Sequence, residues 1–256
     1  MAEYNFIYTF SKFRRILRNY DENFYSTMEF GSLASAEEIV PLLISRYSPN
    51  SVVDVGCGTG PFAFEFLKHG ITDVIGYEGD WMQNLPTVLP KDLYIYRDIT
   101  SPFMPSRKYD LCLCLEVAEH LDQEHAQTLI EMLTGLSNVI VFSAAIPLQG
   151  GNHHVNEQWP VYWSNFFAEK GYYLDWDPRL SIWENSKIEP CYRQNLLVYK
   201  SGSENSFLVP PSLVHPDSWF GAMSFRKVPL VIRFVGKLPK FVFRFRRLIL
   251  KVLRVE

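Results

Sequence analysis

No uninterrupted apolar span in this sequence approaches the roughly 20 residues that a membrane-crossing helix needs, although 47% of its 256 residues are hydrophobic. The N-terminus has no long apolar run either, so no signal peptide is expected. Cysteine is scarce: Cys57, Cys112, Cys114 and Cys191 have no metal-site or disulfide spacing, and two of them lie inside an apolar, strand-like run. That usage fits a reducing compartment, and the expected localisation is cytoplasmic. Internal repeats and low-complexity tracts are absent. Charge is modest overall, at −3, but uneven. From Arg226 onward ten Lys/Arg face one acid, Glu256, a net of +9, which leaves residues 1–225 at −12. An acidic body with a basic tail disfavours nucleic acid as a partner of the body.

The most informative stretch is Val52-Val53-Asp54-Val55-Gly56-Cys57-Gly58-Thr59-Gly60-Pro61. A β-branched strand carrying an acid leads into glycines at every second position, and a proline then opens a helix. Glycine permits sharp turning and close approach to a ligand, and Pro61 suits a first helical position. The turn is therefore expected to present bare amides and a helix N-terminus at the mouth of a parallel sheet. A dinucleotide fingerprint needs its third glycine at position 61, which is Pro61, so a nicotinamide oxidoreductase is disfavoured.

The alternation of strand and helix patterns implies a doubly wound α/β fold. Strands are expected at 51–55, 74–77, 93–96, 111–115, 139–142, 172–175 and 195–199, with helices at 61–69, 122–136 and 160–170. Ser35 and Glu38 fit a capping box that opens a helix ending near Tyr47. The expected organisation is an N-terminal helical or lid segment over 1–34, a catalytic domain over 35–202, a proline-marked linker over 203–225 and a tail over 226–256.

Asp-x-Gly-x-Gly-x-Gly at 54–60 resembles motif I of class I S-adenosylmethionine (SAM) methyltransferases, and the resemblance extends over about residues 35–200. It implies a Rossmann-like, seven-stranded sheet, SAM as cofactor and an enzyme of the methyltransferase class. Carried onto this sequence, it places Asp54, Gly56, Cys57, Gly58 and Gly60 against the cofactor. Glu78, 24 residues after Asp54 at the end of the second strand, would accept the ribose hydroxyls. Asp98 and Ile99 would meet the adenine, and Leu115 and Glu116 complete the set.

The fourth strand runs into Glu116-Val117-Ala118-Glu119-His120, a spacing that on a helical turn brings two carboxylates and an imidazole to one side. The string resembles that of metal-dependent O-methyltransferases of ubiquinone biosynthesis and of small RNA. This resemblance implies Mg2+ or another divalent cation at Glu116, Glu119 and His120; the alternative is a histidine packed beneath the cofactor. After the fifth strand comes Gly151-Asn152-His153-His154-Val155-Asn156-Glu157-Gln158-Trp159, similar to the His-x-x-Glu-Trp pattern of the small-RNA enzymes with one extra residue. His154 is then the further metal ligand, while His153 stays an alternative. The catalytic candidates are His153, His154 and Glu119, acting by metal assistance or by general-base catalysis. This loop and Tyr192-Arg193-Gln194-Asn195 also resemble stretches of methyltransferases associated with glycan biosynthesis. Trp159, Tyr162 and Trp163 are candidates for stacking on a sugar ring or for core packing.

Arg233, Lys237, Lys240, Arg244, Arg247, Lys251 and Arg254 recur at intervals of four and three, one basic stripe on a helix otherwise rich in Phe, Val, Leu and Ile. Such a helix suits an anionic membrane surface, which would make the protein peripheral at the inner face; packing on the body and contact with phosphate are the alternatives. The expected function is methyl transfer from SAM to a hydroxyl of a sugar or glycan, including a lipid-linked one. The competing readings are an RNA 2′-O-methyltransferase and a non-catalytic SAM-binding scaffold.

Overall fold

The computed structural model describes residues 22–103, 105–202 and 210–219. It divides into two compact units, Met1–His215 and Pro216–Glu256. The basic tail, most of the linker and the first part of the N-terminal segment lie outside the described residues.

The first unit is built on a seven-stranded sheet of order β3-β2-β1-β4-β5-β7-β6. Its strands are β1 (Ser51–Val55), β2 (Asp73–Glu78), β3 (Tyr94–Tyr96), β4 (Leu111–Leu115), β5 (Val139–Ser143), β6 (Tyr172–Asp175) and β7 (Leu197–Ser201). Neighbouring strands from β3 through to β5 pair in parallel, and β7 lies antiparallel between β5 and β6. Successive strands grow outward from β1 on one side and from β4 on the other. The β1/β4 boundary is thus the switch point, where ligands enter beyond the carboxyl ends of the strands. This is the expected seven-stranded, Rossmann-like α/β sheet, here with β7 antiparallel.

Two cores flank it. On one face, α1 (Glu22–Tyr47) and α2 (Pro61–Lys68) bury Ala36, Ile39, Val40, Leu43, Phe62 and Phe66 against Val52, Leu111 and Leu113. On the other, α3 (Ala126–Leu136) and α4 (Pro160–Glu169) bury Leu129, Leu133, Trp163 and Phe167 against Val53, Cys112, Cys114 and Phe142. The fully buried β4 still alternates, its leucines serving one core and its cysteines the other, as the period of two requires. Cys112 and Cys114 are therefore core side chains. No helix among the described residues is long and apolar enough to cross a membrane.

Three boundaries differ from expectation. Ser35 opens no helix: α1 runs unbroken through it, and its buried Oγ donates to the Gly31 carbonyl at 2.7 Å and accepts the Glu189 amide at 2.9 Å. The hydroxyl is occupied within the helix and by a tertiary contact, so it is not available as a cap. The proposed division between residues 34 and 35 falls inside this helix. Likewise α3 starts at Ala126, behind a 3-10 turn at Gln123–His125, and β7 starts at Leu197 because Asn195 ends a short helix, α6 (Pro190–Asn195), which follows α5 (Asp177–Ile182). Phe142 packs on Trp163, Phe167 and Tyr199 at centroid distances of 5.4, 5.5 and 6.3 Å. Phe142→Ala should cost about 3–5 kcal/mol, read as a lower urea midpoint at unchanged slope.

Candidate functional site

The turn after β1 is held in the left-handed region at Gly56, Gly58 and Gly60, with φ of 72°, 57° and 84°. A Cβ at Gly56 would collide with Val117, whereas one at Gly58 would meet nothing within 4 Å. The first glycine lets the chain after β4 close over the turn, and the second faces open space. The amides are not bare, contrary to expectation. Gly56 and Cys57 both donate to the Tyr77 carbonyl (2.8 and 3.2 Å), Gly60 to Cys57 (2.9 Å), and Gly58 to Glu78 Oε2 (2.7 Å). The turn is a braced shelf, not a phosphate cradle. The Cys57 side chain points away from the open side, against Gly76 in the core, so only its backbone lies on the shelf.

Two acids are buried behind this turn. Asp54 is 3% exposed and Glu78 9%. Glu78 uses Oε1 to accept the Gly79 amide (2.8 Å) and Oε2 to accept that of Gly58. Burial raises both carboxyls. Asp54 is pushed up to about 7 by burial and then by the Glu78 charge, with a backbone hydrogen bond from Ala63 opposing. For Glu78, the two amides work against burial. Asp98 follows β3 but is exposed, and Oδ1 closes a turn by accepting the Thr100 amide (2.8 Å) and hydroxyl (2.6 Å). Ile99 packs at the edge of a core, and Leu115 is buried at the end of β4. The Arg97 amide donates to the Glu78 carbonyl at 2.7 Å, tying the chain after β3 to the end of β2.

The string after β4 is not the helical turn expected. Glu116 is left-handed (φ 54°), and a single 3-10 turn, Ala118–His120, follows. Its amide donates to Ser143 O and Oγ, both at 3.0 Å. This conformation turns the Glu116 carboxylate toward α6, where it accepts Asn195 Nδ2 (3.0 Å) and Gln149 Nε2 (3.3 Å). The Glu116 carboxylate stays beside that of Glu119, with its oxygens engaged by Asn195 and Gln149. Among the described residues, Glu119, His120 and His154 do converge, with ligand-type atoms within 4.8 Å of one another. The His120 and His154 rings meet edge to face at 4.9 Å, and the Glu119 carbonyl anchors the loop by accepting the Val155 and Asn156 amides (2.8 and 3.0 Å). His153 is exposed, with φ 61°, and stands outside this cluster.

Glu119 is fully buried, and neither carboxylate oxygen has a hydrogen-bond partner. Burial, and then the Glu116 charge, hold its pKa well above the usual carboxylate range. Glu116 is also raised by burial, against the pull of Asn195 and Ser143. His120 is driven down to about 4 by burial and then by His154, which keeps its imidazole neutral. A buried carboxyl beside two imidazoles, that of His120 held neutral by burial, is a donor set that fits a divalent cation. Of the aromatic candidates, Trp163 is 2% exposed and packs on Phe142, so it is core. Trp159 is 37% exposed. Three polar groups of the site went unassigned in the sequence: Gln149, Glu157 and Asn195. The quoted string Tyr192-Arg193-Gln194-Asn195 contains Asn195, and Glu157 is the acid of the His-x-x-Glu match; Gln149, just before the quoted loop, gave no signal.

The pH dependence follows from Asp54. Its folded-state pKa of about 7 exceeds an unfolded value near 3.9, so the folded state holds the extra proton between them. Its favourable contribution is complete below about pH 4 and is lost as pH rises through 7. Denaturant titrations of the ligand-free protein should show stability falling from pH 5 to 8, by about 2–3 kcal/mol from this group, and Asp54→Asn should flatten that fall.

No curated protein matches the chain. Among solved structures, DesVI of Streptomyces venezuelae aligns with a TM-score of 0.52 at 17% identity, covering 70% of this chain and 95% of its own. The methyltransferase domain of bacterial CtHen1 (TM-score 0.48, 15% identity, 66% of this chain and 98% of that one) is a weaker likeness. So is magnesium protoporphyrin IX methyltransferase of Synechocystis PCC 6803 with bound SAH (0.46, 17%, 76% and 94%). At such identity the DesVI likeness speaks for the fold alone. A family model described as a methyltransferase domain matches residues 31–172, more than half of the chain and all of the parallel sheet from β1 to β5. The chain belongs to that family and is a SAM-dependent methyltransferase.

Proposed function

We propose that this enzyme transfers the methyl group of SAM to a hydroxyl of a sugar or glycan. The observation that carries the reading is the convergence of Glu119, His120 and His154 on a segment whose Val117 lies directly against Gly56 of the cofactor turn. A cluster of one acid and two imidazoles beside the donor turn suits activation of a weakly acidic hydroxyl. The polar loop, the exposed Trp159 and the likeness of Tyr192-Arg193-Gln194-Asn195 to glycan-associated enzymes support a sugar as acceptor.

In this reading Asp54 faces the cationic end of SAM, Glu78 takes the ribose hydroxyls on the lone pairs that Gly58 and Gly79 leave free, and Asp98 with Ile99 borders the adenine. Cys57 contributes backbone only, and Leu115 and Glu116 close the pocket from β4. Transfer is an in-line displacement: the acceptor oxygen bonds to the methyl carbon, the carbon–sulfur pair returns to sulfur, and the hydroxyl proton leaves to a base. Alignment of the three reacting atoms is the largest task. Glu119, His120 and His154 would hold a divalent cation, which would supply a Lewis acid to lower the hydroxyl pKa. Without it the proton passes to His154 or His153, a step of the kind that contributes about 10²–10⁴-fold. The basic tail would bring the enzyme to anionic lipid and so to a lipid-linked acceptor.

Asp54→Ala and Glu78→Ala should each weaken SAM binding roughly 10- to 100-fold, the worth of a hydrogen bond to a charged group at about 1.5–3 kcal/mol. Calorimetry checks this, and unchanged affinity would overturn the cofactor assignment. The function is tested by labelled SAM and a fractionated cell extract, with and without chelator, using wild type and His154→Ala. Label in a glycan fraction that is lost with chelator, restored by magnesium and absent with the variant supports metal-assisted transfer. Label that ignores the chelator leaves a histidine base, and label in RNA replaces the acceptor class.

A further inference from the structure

We infer that Glu157 is a positioning residue for His154, fixing which imidazole nitrogen carries the proton and which faces Glu119 and His120. The inference rests on the catalytic reading of the Glu119–His120–His154 cluster, but its geometry is independent of acceptor and cofactor.

Three groups converge on one carboxylate. Glu157 Oε1 stands 3.0 Å from His154 Nδ1 and accepts the Gly150 amide at 2.7 Å, while Oε2 accepts the Leu148 amide at 2.8 Å. A carboxylate is acceptor-only, so Nδ1 must carry the hydrogen. The lone pair then resides on Nε2, the nitrogen needed to bind a cation or receive a substrate proton. A histidine fixed in this way by a carboxylate on its other nitrogen is more basic and is held in one tautomer.

The surroundings make the arrangement specific. Leu148 is left-handed (φ 73°), as is His153 (φ 61°), so the loop is strained on both sides of its contacts with Glu157. The carboxylate stabilises this shape through the Leu148 and Gly150 amides. Gly151 clears the ring itself: a Cβ there would overlap Nε2 and Cε1 of His154. With Glu157 on one edge, the Gly151 backbone along the ring and the His120 ring edge-on at 4.9 Å, His154 is confined in position and in tautomer. Glu157 lies three residues after His154, a spacing set by the loop and not by a helix.

The test reads the tautomer directly. In full-length protein labelled with ¹⁵N-histidine, the His154 resonances are assigned by their loss in His154→Ala. Wild type should show the Nδ1–H form, and Glu157→Ala should populate the Nε2–H form. Glu157→Gln, which keeps the size and one acceptor for the loop amides, should give an intermediate result. Calorimetry with SAM shows that each variant retains the fold and the donor site. An Nε2–H tautomer in wild type, or an unchanged tautomer in both variants, would overturn the inference. In parallel, Mn2+ binding to wild type should weaken roughly 10- to 100-fold in Glu157→Ala and at least as much in His154→Ala. If wild type binds no Mn2+, the metal-assisted form of the proposed function falls, while the tautomer still decides the role of Glu157.

Discussion

The Tyr77 carbonyl accepts the amides of both Gly56 and Cys57, and this junction between the ends of β1 and β2 sets the geometry of the donor side. It bends the chain after β1 across the end of β2, brings the Gly58 amide to Glu78 and leaves the far side of Gly58 open. The Glu78 side chain is fixed by two amides, one from its own strand end and one from the glycine turn. A ligand bound here meets groups whose orientation was settled on folding, so little further ordering opposes association.

Electrostatics works against the fold at both halves of the site. Asp54 and Glu78 are buried side by side, and Glu119 is fully buried against the Glu116 charge. Such groups cost stability unless neutralised, and the raised carboxyl pKa values record that cost. The two halves suit cations of different kinds: a sulfonium on the donor side and, on the proposed reading, a metal ion on the acceptor side. Both would relieve a charge that the empty protein handles by taking up protons, which couples ligand binding to proton release.

Most of the fold was legible because its signals are local. Pro61 and Gly60 mark where α2 begins, the apolar Leu111–Leu115 run marks a strand buried on both faces, and alternation of the elements implies the parallel sheet. The errors arose where a tertiary partner overrode a local preference. Ser35 reads as a cap, but its hydroxyl is engaged by Gly31 and by the Glu189 amide, 154 residues away. Glu116 reads as the first of three ligands on a helical turn. Contacts from Ser143, Gln149 and Asn195 hold it in a left-handed conformation and engage its carboxylate. The His-x-x-Glu match includes Glu157 but gives it no role, since its partners are two backbone amides and one ring nitrogen that only the folded loop brings together. Of the two histidines, the pattern matches His154 and leaves His153 open; in the folded loop it is His154 that stands with Glu119 and His120.

The antiparallel direction of β7 has a consequence for how this enzyme diversifies. Because β7 returns beside β6, the connection between them is a hairpin loop and not a crossover that must pack across the sheet. That loop holds two short helices, and the second delivers Asn195 to Glu116 on the acceptor side. Loop closure grows only slowly more costly with length, so insertions here leave the parallel strands and the donor shelf untouched. On the proposed reading, the acceptor side can thus be remodelled at one place in the chain without rebuilding the donor turn.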